Sequence, residues 1–316
     1  MDRQMIAIKA FSPSPNRFGS YYVKLLGMKT DKFLVGEFGK LDLKDHPTDY
    51  TGDYKEKDDA ADDLKKNLER MAELQDVLYA QNVHALLIVI QAIDAAGKDS
   101  LIKHVMTGIN PQGCSVTSFK QPSAEELDHD FLWRSQVALP GRGMIGIFNR
   151  SHYEEVLVVR VHPEYLAAQR LPTNPEIDKD FWKKRCQHIR DWEDMLTANG
   201  THVIKFFLHV SKDEQKKRFL DRIEQRDKNW KFNAGDAKER NLWDKYMKAY
   251  TEAIELTSTD NSPWYIIPAD KKWFTRLAVS EIIVRKLESM DLRYPEVTDQ
   301  MKADLAEAKK MLEGEG

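Results

Sequence analysis

Between residues 58 and 81 the apolar side chains Leu64, Leu68, Met71, Leu74 and Leu78 return every three or four positions, which places them on one face of a helix. The pattern then changes. Residues 85–90 form an unbroken apolar run, the mark of a strand buried on both faces, and a short loop to Gly97 leads into a helix from 98 to about 109. Residues 115–119, 144–148, 203–210 and 264–267 read as further strands, with a helix over 124–138. Buried runs separated by helical segments fit a parallel, doubly wound α/β sheet, because each parallel crossover needs a connection of a dozen or more residues.

Around this sheet the pattern is weaker. Residues 1–55 are rich in Gly, Pro, Asp and Lys with little periodicity, and read as an irregular extension packed on a neighbouring surface or subunit. The stretch 211–256 is charged throughout and reads as two helices joined by a turn near 233–236. A solvated helical face accounts for such a stretch, but its place after the fourth strand also suits a lid. The chain from 278 onward is helical and highly charged, ending in a tail over 291–316.

Composition narrows the function. The 316 residues carry 48 basic and 51 acidic side chains, a net charge of -3, so bulk charge does not suit the chain to nucleic acid and any polyanion must meet a local patch. Two cysteines, Cys114 and Cys186, are too few for a disulfide framework. The first ten residues have neither a long apolar core nor a small-residue cleavage site, and the longest apolar run is far short of the roughly 20 residues a membrane helix needs. A cytoplasmic protein with no membrane partner is expected.

The chemistry gathers in two places. Asp94-Ala95-Ala96-Gly97-Lys98 stands directly after the most apolar strand and directly before a helix. Small residues there let backbone N–H groups converge on phosphate oxygens, the helix N-terminus adds positive partial charge, and a lysine ammonium bridges adjacent phosphates. The usual phosphate-loop pattern is not fully met: Ala92 stands where a first glycine is expected, and Asp99 then Ser100 follow Lys98. Asp94 would repel a phosphate unless a cation lay between them, which points to Mg²⁺; the alternative is a helix-capping carboxylate. The second place is Asn149-Arg150-Ser151-His152-Tyr153, at the carboxyl end of the third strand, where ligands of open α/β sheets bind. Arg150 is a candidate clamp on a transferring phosphoryl group, or else a surface ion pair. His152 reads as packing behind the loop rather than as a base.

These phrases, with Asn110-Pro-Gln-Gly113, the run from Thr117 to Arg134, Asn229-Trp-Lys-Phe232 and Pro268-Ala-Asp-Lys-Lys-Trp273, resemble the polyphosphate kinase 2 family and, within it, the subgroup called class III. The likeness spans roughly residues 45 to 290. It implies a P-loop kinase fold similar to thymidylate kinase over 56–290, with a helical lid at about 211–245, and Mg²⁺-dependent transfer of the terminal phosphate of inorganic polyphosphate to AMP and ADP, giving ADP and ATP. It also implies a homo-oligomer, dimer or tetramer.

Carried over position by position, Asp94, Lys98 and Arg150 are the catalytic candidates, Asp94 also the Mg²⁺ ligand. Ala95, Ala96, Gly97, Lys98, Asp99, Ser100 and Lys103 would face polyphosphate, together with Arg218, Arg222 and Lys231 of the lid. Arg134, Asn149, Arg150 and Tyr153 would serve the nucleotide. Many relatives carry Asp where this chain has Asn149, and an amide cannot supply the charge a second Mg²⁺ favours. Two rivals are weighed: an ATP-dependent nucleoside monophosphate kinase, which would share the fold and loop, and a nucleotide-binding regulatory module without turnover. A long basic track beyond the loop separates the first rival from the family reading, and the presence of both Asp94 and Lys98 argues against the second.

Overall fold

In the computed structural model, which describes residues 28–172, 175–231 and 234–314, a six-stranded sheet runs through the middle of the molecule. Its strands are β1 (Leu34–Val35), β2 (Ala85–Gln91), β3 (Cys114–Ser118), β4 (Ile145–Asn149), β5 (Thr201–His209) and β6 (Trp264–Pro268), in the spatial order β1-β6-β5-β2-β4-β3. β3, β4, β2, β5 and β6 are parallel. Only β1 runs antiparallel, on β6. The five expected strands thus appear within a residue or two. The addition comes from the segment read as irregular, where two residues are too short for a period to show.

Every residue of β2 is buried, as its unbroken apolar run requires of a strand with parallel neighbours and a layer on each face. On one face α1 (Ala61–Gln81) and the later α10 (Lys272–Glu288) pack around Met71, Leu78, Ile88 and Phe274. α2 (Lys98–Val105) joins them and stops short of 109, because Gly108 turns left-handed at φ 85°. The expected helix over 124–138 is two short pieces, α3 (Ala124–Leu127), opened by a Ser123–Glu126 capping box, and α4 (Trp133–Val137).

The other face is covered by α5 (Val158–Val161), α6 (Lys179–Ala198) and, after β5, α9 (Trp243–Thr257), around Phe148, Val203, Phe207 and Ile254. Between β5 and α9 lie α7 (Lys212–Glu224), a 3₁₀ turn at Arg226–Lys231, α8 (Ala234–Glu239) and a 3₁₀ turn at Arg240–Leu242, so the stretch 211–256, expected as two helices, holds three α-helices with α9 counted. The expected turn near 233–236 overlaps α8, and residue 233 lies outside the described residues. Beyond α10 the tail forms α11 (Asp299–Glu313), with no buried residue. No helix among the described residues is long and apolar enough to cross a membrane.

The order of the strands sets the site. β2 lies in the middle, the chain reaches β3 and β4 on one side of it and β5 and β6 on the other, and a crevice opens at the carboxyl ends where the direction reverses.

Candidate active site

The loop after β2 is built on unusual backbone. Ala95 adopts φ 62° and Gly97 φ 112°, both left-handed, and at Gly97 only a glycine takes that conformation without strain. Gly97 caps α2, and Lys98 is its first residue. The Lys98 ammonium folds back into the loop, donating to the carbonyls of Ala92 at 2.7 Å and Ile93 at 3.4 Å. Burial and then the neighbouring Arg150 guanidinium press its pKa down to about 8, against the pull of Asp94, Glu154 and Asp99.

β4 ends facing this loop. Arg150, also left-handed at φ 62°, sends its guanidinium to Asp94 Oδ1 at 2.7 Å and to Glu154 at 3.4 Å. A bulky residue holds that backbone conformation only where its surroundings impose it, and here the Arg150 amide is tied to the Ile90 carbonyl of β2 at 3.1 Å. Asn149 donates to Asp99 Oδ1 at 2.8 Å and to Ser118 Oγ at 3.4 Å, which joins the ends of β3 and β4 to the start of α2. The side-chain oxygen of Asn149 is buried without a partner. Arg276 of α10 donates to Ser100 Oγ at 3.1 Å, and its Nε also lacks a partner.

Together these groups border an open cleft of about 790 Å³. Its basic lining is Lys98, Lys120, Arg150, Arg218, Arg222, Lys272 and Arg276, against Asp94, Asp99, Asp221 and Asp236. The cleft therefore has a net positive lining with carboxylates among the basic groups, suited to a polyanion accompanied by a cation. Among the described residues no group of three or more His, Cys, Asp or Glu could hold a metal by itself. Mg²⁺ does not need one: it is commonly bound by one or two carboxylates, with phosphate oxygens and water completing an octahedron, and Asp94 and Asp99 in the same cleft fit that donor set.

Of the residues expected from the sequence, Asp94, Ala95, Gly97, Lys98, Asp99, Ser100, Asn149, Arg150, Arg218 and Arg222 border this cleft, and Ala96 lies in the same loop. Lys103 is exposed on α2, one turn past Asp99 and outside the cleft lining. Arg134 is buried behind the wall, donating to the Lys120 carbonyl at 2.8 Å with its guanidinium over the Phe119 ring. The Lys231 side chain lies outside the described residues.

Two expectations need correction. Tyr153 is fully buried in the core with its hydroxyl between Glu193 and Lys205, so it has no face to offer a nucleotide. Arg218 borders the cleft but is 6% exposed, and its guanidinium is spent on backbone carbonyls. Lys120, Lys272 and Arg276 were not singled out from the sequence. The first and second stood inside matching phrases, but nothing in a lone lysine says which way it points.

The sequence profile of polyphosphate kinase 2 matches residues 54–295, the segment that carries the five parallel strands and the loop after β2. The chain belongs to the polyphosphate kinase 2 family. A protein of Rhodopseudomonas palustris named ADP-polyphosphate phosphotransferase is 52% identical, over 90% of this chain and 99% of its own length. A Meiothermus ruber protein named AMP/ADP-polyphosphate phosphotransferase is 44% identical, over 84% and 95%. The crystal structure of polyphosphate kinase 2 from Arthrobacter aurescens superimposes with a TM-score of 0.79 at 38% identity, covering 88% of this chain and 95% of that one. Family membership and the superposition agree on a P-loop kinase fold.

Proposed function

We propose that this polyphosphate kinase 2 family member transfers the terminal phosphate of inorganic polyphosphate to AMP and ADP, giving ADP and ATP, with Mg²⁺ as the required cation. The observation that carries this reading is the pairing of the Asp94–Lys98 loop with Arg150 in a cleft to which Lys272 and Arg276, beside the start of α2, add further basic groups. A nucleoside triphosphate needs basic groups around three phosphates, whereas a polymer benefits from charge along its length. The relatives' names support the same substrate pair and divide on the acceptor, one naming ADP and the other AMP and ADP.

The acceptor oxygen belongs to a nucleotide phosphate, already anionic near neutral pH, so no strong general base is required and catalysis rests on alignment and charge neutralisation. In the transfer this oxygen bonds to the terminal phosphorus of the donor as the bond to the bridging oxygen breaks, and the shortened polyphosphate leaves with that electron pair. Lys98 and Arg150 supply positive charge at the moving group, and Asn149 with Asp99 orients the rim beside it. Mg²⁺ would be held by Asp94, with Asp99 close by, and would neutralise charge on the phosphate oxygens. His152 takes no part as a base, being fully buried, held neutral by burial, and hydrogen-bonded to Glu193.

Purified protein with long-chain polyphosphate and Mg²⁺ should convert ADP to ATP and AMP to ADP, and Asp94→Asn should abolish both. Transfer to a nucleoside monophosphate from ATP alone, with polyphosphate inert, would overturn the reading. A smaller effect is expected on the basic wall: Arg276→Met should raise KM for long-chain polyphosphate about 5-fold while kcat changes little, since one exposed charge contact contributes on the order of 1 kcal/mol. Steady-state kinetics at fixed ionic strength would show it.

A further inference from the structure

We propose that Arg218 is a positioning residue, one that grips no polyphosphate and instead fixes the shape of the phosphate loop and joins it to the other elements around the cleft. The proposal rests on the function above for its assay but on geometry for its content.

A guanidinium has five N–H donors, and every one of Arg218's is taken by the protein. Nε donates to Glu214 Oε1 at 2.8 Å. Nη1 donates to the carbonyls of Ala95 at 3.1 Å and Ala96 at 2.7 Å. Nη2 donates to the carbonyls of Ala269 at 2.7 Å and Asp270 at 3.1 Å. An arginine in this state has no donor left for a phosphate oxygen, and swinging it into the cleft would strand four backbone carbonyls.

The carbonyls it holds are the ones that matter for the loop's shape. Ala95 is the left-handed alanine, a conformation that persists only where surrounding bonds over-determine it. One turn earlier on the same helix, Gln215 donates to the Asp94 carbonyl at 3.0 Å and accepts from Arg240 at 2.8 Å. Three successive carbonyls of the loop, 94 to 96, are thus fastened to α7. Through Ala269 and Asp270 the same guanidinium also holds the chain just before α10, which carries Lys272 and Arg276. Arg218 therefore sets the spacing between the loop that presents Asp94 and Lys98 and the basic start of α10 beside it. Lysine cannot replace it, because one ammonium with three donors does not span two pairs of carbonyls.

The test compares Arg218→Lys with Arg222→Met, whose side chain borders the cleft one turn further along α7. Both are assayed with Mg²⁺, ADP and donors from tripolyphosphate to long chain, and melting temperatures are recorded. Arg218→Lys is expected to lower kcat about 100-fold by the same factor at every donor length, with KM for the donor within about 2-fold, because a misplacement of about 1 Å costs that much in rate. Arg222→Met is expected to do the opposite, raising KM more for longer donors and sparing kcat. A length-dependent rise in KM with kcat retained in Arg218→Lys would make it a polyphosphate ligand and overturn the proposal. So would unchanged kinetics with only a lower melting temperature. If Arg218→Lys does not fold, Gln215→Leu should show the same length-independent loss on a smaller scale, and an unchanged kcat there would also overturn it. Absence of wild-type turnover with polyphosphate would instead count against the proposed function, and the same kcat comparison would then be run with ATP as donor.

Discussion

Lys98→Met is expected to lower kcat for phosphoryl transfer by about 1000-fold, the scale on which a single preorganised charge or donor acts at a developing transition state. The ammonium sits at the first residue of α2, where the helix N-terminus and the loop amides already favour an anion, so its charge adds to a field built for phosphate. Without ligand it is buried against the carbonyls of Ala92 and Ile93, with its pKa near 8. Two consequences of opposite sign follow. The unfolded lysine titrates near 10.5, so the native state binds fewer protons between about pH 8 and 10.5, and this group's destabilising burden is full below pH 8 and relieved as pH rises through that window. Donor binding requires the protonated amine, so KM for polyphosphate should climb above about pH 8, by up to tenfold per pH unit, and that slope should vanish in Lys98→Met. Because methionine removes a buried charge while leaving two carbonyls without a donor, stability gains and losses oppose each other. The variant should therefore lose activity without a comparable loss of melting temperature. A fall in melting temperature matching the loss of rate would mean that Lys98 serves the fold and not the chemistry.

The sheet was legible because burial on both faces leaves an apolar run, unbroken in β2 and broken in β5 only at Lys205 between Val203 and Phe207. The phosphate loop was legible because its small residues, its lysine and the helix behind it are contiguous. What stayed hidden needed distance across the fold. Arg218 and Arg222 look alike in the sequence, one turn apart on a charged helix, and both border the cleft; only packing decides that the first gives its guanidinium to backbone carbonyls while the second lies over the Phe219 ring. Tyr153 follows the Arg150 motif closely enough to pass for a ligand contact, yet the turn at Ser151–Tyr153 aims it down into the core. α6 carries Trp182, Cys186, Ile189, Trp192 and Leu196 at helical spacing, and one acidic residue of the same helix is buried with them. That residue is Glu193, which anchors a polar cluster in the core.

Removing one member of that cluster is the second large effect. Lys205 interrupts β5 between Val203 and Phe207, on the face turned to α6 and α9, and both it and Glu193 are fully buried. Its ammonium donates to Glu193 Oε2 at 2.5 Å, to the Tyr153 hydroxyl at 3.0 Å and to the Thr257 carbonyl at 2.8 Å. Glu193 accepts in turn from Tyr153 at 2.9 Å and Ser262 at 2.9 Å. Burial pushes the Glu193 carboxyl up and the Lys205 ammonium down, but at Glu193 the ammonium and the His152 hydrogen bond outweigh burial and hold the carboxyl below its ordinary value. Lys205→Met leaves that carboxylate buried without a cation and should cost about 3–5 kcal/mol, seen as a lower urea midpoint at unchanged slope. Pairing it with Glu193→Leu should recover part of the loss, since replacing both members of a buried ion pair by apolar groups is far milder than stranding one. A carboxyl with a depressed native pKa contributes stability above its unfolded value of about 4.5 that is lost as pH falls below it, so the single variant should also have the flatter acid-unfolding profile. The cluster reaches the active site as well: Tyr153 lies three residues past Arg150, and loosening it releases the left-handed turn that holds Arg150 on Asp94. Where Lys205→Met remains folded, kcat should therefore fall further than the remaining folded fraction explains, and a rate that simply tracks that fraction would leave the cluster with a role in stability alone.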